Sequence, residues 1–146
     1  MGLTAGTALG ILLAHLVGDY LIQSHWMAVE KTKRWWPAIV HATTYGLPFL
    51  LITQSPAAMA VIVGTHAVID RYRLARHVVW ARNQLAPAGH RPAWADSSAT
   101  GSPSSSPPWL AVWLAVWLAV WLAVWLLIVA DNTLHLLINA GAVIWL

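Results

Sequence analysis

Apolar residues fill four long stretches of this chain, and the polar positions inside them recur at a spacing of four. The first stretch covers about residues 3–22 and reads LTAGTALGILLAHLVGDYLI. The second covers about 36–53, the third about 57–70, and the fourth fills the chain from Trp109 to its last residue. About 20 apolar residues in a helix cross a bilayer core of roughly 30 Å. Trp35, Trp36 and Trp125 stand where interfacial anchors are favoured. The pattern predicts an all-α, polytopic membrane protein, a bundle of four transmembrane helices at about 3–22, 36–53, 57–70 and 125–146. The whole chain, 1–146, reads as a single membrane domain.

Three further segments have a different character. Residues 71–85 continue the third span as a basic helix, RYRLARHVVWAR, suited to an anionic lipid surface. Residues 86–108 are rich in Pro, Gly, Ser and Ala and read as a flexible linker. Residues 109–124 are four copies of Trp-Leu-Ala-Val, an apolar tandem repeat. A period of four drifts from the 3.6-residue turn by about 40° per copy, so its tryptophans form no fixed stripe. The repeat is expected to extend the last span as a helix on its N-terminal side. Starting that span at Trp125 gives 22 residues to Leu146, about 33 Å of helix.

The polar positions inside the spans are unusual. His15 and Asp19, His66 and Asp70, and Asp131 and His135 each pair at a spacing of four, which sets both side chains on one helix face. The order is His-then-Asp on the two inward spans and Asp-then-His on the outward last one. Each Asp therefore lies nearer the same membrane face. His41 sits about five residues past Trp36, at a similar depth. A charge at mid-bilayer costs roughly 2.5–3.5 kcal/mol, so such groups are kept by pairing or by a bound ion. Carboxylates and imidazoles without thiolates suit a divalent metal, Zn, Mn, Fe or Ni. The expected ligands are His15, Asp19, His41, His66, Asp70, Asp131 and His135. Asp19, Asp70 and Asp131 are the candidate catalytic carboxylates; Gln23, Tyr45 and Asn139, one turn along, are candidates to orient ligands. Gly18 and Gly64 are expected to allow close helix approach.

Composition agrees with a lipid environment. Only 9% of residues are charged and 59% are hydrophobic, so polar residues are too few to cover a soluble globule. There is no cysteine, which excludes disulfides and thiolate sites. The eight basic residues fall in two clusters, 31–34 and 71–91, both flanking apolar segments. That is the distribution of cytoplasmic loops, not of a nucleic-acid surface, so no nucleic acid is expected as partner. The expected location is the cell membrane, multi-pass, with both termini outside and the basic loops cytoplasmic. Membrane lipid is the expected partner, and a homo-oligomer is compatible with the sequence. The first stretch contains Asp19 and lacks a preceding basic region, so it does not read as a cleavable signal peptide.

The segments HLVGDYLIQSHWMA (His15 to Ala28), HAVIDRYRLAR (His66 to Arg76) and DNTLHLLIN (Asp131 to Asn139) resemble blocks of a family of small bacterial and phage membrane proteins, domain of unknown function 3307. The resemblance implies a helical membrane bundle and assigns no activity. A looser likeness, of site type alone, is to metal-dependent membrane hydrolases. The favoured function is a metal-dependent, hydrolase-like site near the cytoplasmic side, acting on a lipid or lipid-linked substrate. The alternatives are an ion or proton pathway and a non-enzymatic phage or bacterial membrane assembly protein.

Overall fold

The computed structural model describes residues 4–91, 94 and 109–146; within 109–123 it describes the side chains of Trp117, Trp121 and Leu122. The described residues are helical, with no strand among them. They form two compact units, Met1–Leu74 with Asn132–Leu146, and Ala75–Asp131.

In the first unit, Thr4 caps helix α1 (Ala5–Leu16) by accepting from the Thr7 amide at 3.1 Å. The chain then runs without interruption into a π-helical turn, Val17–Ile22. Such wide turns are rare inside α-helices and concentrate at functional sites; this one carries Asp19. Ser24 caps a short helix, α2 (His25–Glu30), which buries none of its residues. Helix α3 (Trp35–Gly46) tightens into a 3-10 segment, Leu47–Leu51, where Pro48 removes a backbone donor. Ser55 and Pro56 open α4 (Pro56–Tyr72), a pairing of cap and first-turn proline suited to a helix start. Arg73, in the left-handed region at φ 52°, ends it. The expected unbroken basic extension over 71–85 is therefore interrupted at Arg73, and the helix resumes as α5 (Leu74–Asn83). Bulky arginine has no steric licence for that conformation, but its amide still bonds the Asp70 carbonyl, which closes the helix end.

In the second unit, α5 buries Ala75 and Val79 on one face. The Arg76 guanidinium lies 4.3 Å from the Trp94 ring centroid and donates to the Trp94 carbonyl at 3.1 Å. Ala88–His90 form a single 3-10 turn at the start of the segment expected to be a linker; the expectation for 92–93 and 95–108 lies outside the described residues. Helix α6 (Trp109–Trp145) has 37 residues and takes in both the repeat and the last span, as expected. Trp117, Trp121 and Trp125 follow one another with ring centroids 5.7 and 6.3 Å apart.

Two helical segments are long and apolar enough to cross a membrane, Ala5–Ile22 and Val124–Trp145. They coincide with the first and last expected spans. The 17 residues of α4 rise about 26 Å. The 12 residues of α3 and the 5 of its 3-10 continuation rise about 28 Å. Both fall just short of a bilayer core.

The core of the first unit joins Ile11 and Ala14 of α1 to Tyr45 and Phe49, to Ala58 and Ile62 of α4, and to Ala142 and Val143 of α6. Gly18 sets its closest approach. A Cβ there would stand 2.5 Å from Tyr45 Cδ2 and 3.0 Å from the Tyr45 carbonyl oxygen. Gly46 does the same against Val63 Cγ2, at 2.6 Å. Gly64 does not take the role expected of it: it is exposed, and nothing among the described residues lies within 4 Å of a Cβ there. Gly18→Ala is expected to destabilise the protein by about 1–3 kcal/mol through overpacking against Tyr45. Gly64→Ala is expected to be neutral or to stabilise by up to about 1 kcal/mol, as alanine does in a helix. Thermal melts of the two variants in detergent check the contrast, and equal melts would contradict the packing account.

Candidate metal centre

Five helical segments bring six of the seven expected ligands to one place. Asp19 comes from the π-turn, His15 from α1, His41 from α3, His66 and Asp70 from α4 and His135 from α6. The four imidazoles are buried to within 1% of full burial and Asp70 to 6%. Asp131, the seventh, is half-buried and falls in the second unit.

The innermost contacts involve four atoms. Asp19 Oδ1 lies 3.2 Å from His41 Nε2 and 3.5 Å from His66 Nε2. Asp70 Oδ2 lies 3.2 Å from His41 Nε2 and 3.1 Å from His66 Nε2. The two Nε2 atoms are 3.0 Å apart. These are five of the six edges of a tetrahedron of two carboxylate oxygens and two imidazole nitrogens. Four donors held about 2.1 Å from one ion in tetrahedral geometry stand about 3.4 Å from each other. Asp19 Oδ1 and Asp70 Oδ2 are buried and, among the described residues, accept no well-directed hydrogen bond. Buried carboxylate oxygens are normally satisfied, so close, misdirected nitrogens around two such oxygens have the character of ligands facing a common centre. The described groups that could hold an ion are Asp19, His41 and His66 on one side, and His66, Asp70 and His135 on the other.

The surrounding bonds fix the rings. His66 Nδ1 lies 3.2 Å from His135 Nδ1; with the shared proton on His66, its Nε2 would face inward as a lone pair. Tyr45, fully buried, stacks on His66 with centroids 3.6 Å apart and planes at 16°. Its hydroxyl accepts from Asn139 Nδ2 at 2.6 Å and so has its own proton for His15 Nδ1 at 2.8 Å. His15 Nε2 donates to Asn132 Oδ1 at 2.8 Å. Both nitrogens of His15 are thereby engaged, and it stands behind Asp19 Oδ2 at 3.4 Å instead of joining the inner four. Tyr45 and Asn139 thus both bond within the network around the centre.

Gln23 takes a different place. Its Oε1 accepts from Lys31 Nζ at 2.6 Å, and the same ammonium lies 2.8 Å from Asp70 Oδ2 and 3.2 Å from His41 Nε2. In sequence Lys31 stands among loop charges; only the fold of the 31–34 turn returns it to the centre. Arg71 holds that turn. It donates to the Thr32 carbonyl at 2.7 Å and packs 5.8 Å from the Trp35 and Tyr72 ring centroids. Asn132, beside Asp131, is a second site residue that the sequence pattern does not single out. It bonds both His15 and Tyr20, donating to the Tyr20 hydroxyl at 2.9 Å. His25 begins α2 and His77 lies on α5, and both are exposed.

Fold and site together define a class: an all-helical protein with helices apt for a membrane, built round buried imidazoles and carboxylates that could hold a metal ion. The chain belongs to the family described as protein of unknown function (DUF3307), whose sequence profile matches residues 8–87. The match includes Asp19, Lys31, His41, His66 and Asp70, and ends before the resembling block at 131–139. No curated protein and no solved structure matches the chain.

Tyr45→Phe removes the hydroxyl that serves His15 and Asn139 together. It is expected to cost about 1–3 kcal/mol per polar group left buried and unpaired. Chemical denaturation in mixed micelles measures this, and a cost below about 0.5 kcal/mol would show that the hydroxyl does not hold the network.

Proposed function

We propose that the chain is a four-span membrane protein whose His/Asp centre binds a divalent metal ion and hydrolyses a lipid or lipid-linked phosphoester. The observation that carries the metal is the four-atom set Asp19 Oδ1, His41 Nε2, His66 Nε2 and Asp70 Oδ2, with separations of 3.0–3.5 Å. Support for the membrane is the inversion of polarity. His15, His41, His66, His135 and Asn139 are buried, while Leu9, Leu12, Leu13, Leu16, Ile39, Leu50, Val68 and Leu137 are exposed. In water the hydrophobic effect drives the opposite arrangement. The short middle helices fit by local thinning of the bilayer, at a modest cost per ångström. Basic turns after the first and third spans favour a cytoplasmic side for the centre.

A bound ion would supply Lewis acidity and lower the pKa of a water molecule to near neutrality. Water would add to phosphorus as the bond to the ester oxygen breaks, and a carboxylate would take one proton from that water and pass it to the departing oxygen. Asp19 Oδ2, outside the inner four and 3.4 Å from His15 Nδ1, would take that role. Four protein donors close a tetrahedral zinc site, whereas hydrolytic sites keep a position open. Mn, Fe or Ni, which take more ligands, therefore suit the hydrolytic reading better than Zn. The closed set is also the observation that favours a second reading, a structural metal in a membrane assembly protein.

Purified in detergent, the protein is expected to carry one divalent ion per chain, lost in His66→Ala and Asp70→Ala. His135→Ala, which removes the partner of His66 Nδ1, is expected to weaken binding by about 10–100-fold. Elemental analysis decides this: wild type without metal, even after Zn, Mn, Fe or Ni is supplied, ends the proposal. Metal without turnover of a panel of lipid phosphoesters leaves the structural reading in its place.

The chain has no cysteine, so single-cysteine labelling tests the topology directly. Lys33→Cys and Arg82→Cys are expected to react with an impermeant maleimide only after the cytoplasmic face is opened. Ser55→Cys is expected to react from outside. Labelling of Ser55→Cys from the same side as Lys33→Cys would exclude four spans.

A further inference from the structure

Among the described residues, Lys31 is the lysine or arginine built into the centre, and the metal reading gives it no task. Its ammonium draws on Asp70 Oδ2 and His41 Nε2, two of the four inner donor atoms, and on Gln23 Oε1. Its side chain is 15% exposed, against 59% for Lys33 and 78% for Arg34 in the same turn. Burying a long ammonium stem needs compensation. Here Arg71 supplies it by fixing the turn through the Thr32 carbonyl, so Lys31 projects inward while Lys33 and Arg34 pair with Glu30 outside.

An ion on the inner four atoms would take the lone pairs that Lys31 now faces. The ammonium would keep Gln23 Oε1 as its only acceptor of the three, next to a second positive centre. The balance of charge then changes sign. Asp19 and Asp70 carry two negative charges, Lys31 carries one positive charge, and a divalent ion brings the total to plus one. A buried net positive charge calls for an anion. The groups available to bind it are a metal and an ammonium, with Lys33 and Arg34 beyond them to draw anions toward the turn. That combination suits a tetrahedral oxyanion, whose separate oxygens can engage metal and lysine together.

Resting on the metal reading above, we infer that Lys31 is an exchangeable arm. It is the counter-ion of the Asp70–His41 edge, and an entering divalent ion frees it to bind a phosphoryl oxygen of the substrate. The metal and the phosphate group therefore bind cooperatively, and the specificity of the centre is for phosphate esters.

Two measurements on the purified full chain test this, with Lys31→Met removing the ammonium while keeping the stem. In chelator competition, Lys31→Met is expected to bind zinc about tenfold more tightly than wild type, within the usual range of coupling between sites. Equal or weaker binding overturns the inference; a wild type that binds no zinc fails the metal centre itself and is read separately. In calorimetry, the manganese-loaded wild type, whose ion can take ligands beyond the inner four, is expected to bind inorganic phosphate, and Lys31→Met about tenfold more weakly. Equal phosphate binding by the two overturns the inference. Should Lys31→Met not fold, Lys31→Gln, which removes the charge but keeps a polar end, replaces it. Competition by phosphatidic acid in phosphatidylcholine nanodiscs separates the sources. Displacement of inorganic phosphate assigns the arm to a lipid headgroup, and no displacement assigns it to a soluble phosphate.

Discussion

Two carboxylate oxygens, Asp19 Oδ1 and Asp70 Oδ2, are buried with imidazole nitrogens around them but without well-directed donors. That constraint governs the rest of the first unit. A buried carboxylate must be answered by a hydrogen bond, a cation or a metal, since desolvating it otherwise costs several kcal/mol. The chain answers with four histidines, all buried, and with Lys31 reaching in from a turn. It does not answer with arginine. Arg71 adjoins Asp70 in sequence yet bonds the Thr32 carbonyl, which leaves the carboxylates to groups that can share or yield them.

Packing serves that arrangement. Gly18 is needed because Tyr45 lies against its Cα, and Tyr45 is needed there because its ring stacks on His66 while its hydroxyl bonds His15. The π-turn that contains Gly18 widens the helix where Asp19 Oδ1 turns toward His41 and His66 while Oδ2 stays 3.4 Å from His15 Nδ1. A regular α-turn would place Asp19 one turn directly beyond His15. One glycine, one tyrosine and one irregular turn thus link the hydrophobic core to the geometry of the His/Asp centre. A change at Gly18 acts on the site through Tyr45 although glycine has no side chain.

Much of this was legible in sequence because the pattern was redundant. The His-xxx-Asp order and its reversal at Asp131-xxx-His135 required all the pairs to lie at one depth, and His15, Asp19, His66, Asp70 and His135 do converge. His41, with no acidic partner of its own in sequence, was placed by its distance from Trp36, and the helix α3 delivers it. Other features carried no periodic signal. Lys31 is brought to Asp70 by a turn, and turns fold side chains inward without a sequence period. The left-handed Arg73 has no glycine or asparagine to announce it. Gly64 and Gly46 are alike as letters, and only the neighbouring helix decides which one is a contact. Spacing at four also assumed regular helix, and the π-turn relaxes that assumption at the residue where it matters most.

The long repeat shows why prominence is a poor guide to importance. Its tryptophans follow each other along α6, yet a four-residue period cannot keep one face toward a partner. Asp131, expected as a ligand, belongs to the same unit as the repeat, while the next residue, Asn132, belongs with the centre and bonds His15. An uncharged amide at that junction can hold His15 in one tautomer without adding a third carboxylate to a site that two already make costly. The inner groups therefore pair two carboxylates with one ammonium, Lys31, and that charge count characterises the centre as much as the number of candidate ligands along the helices.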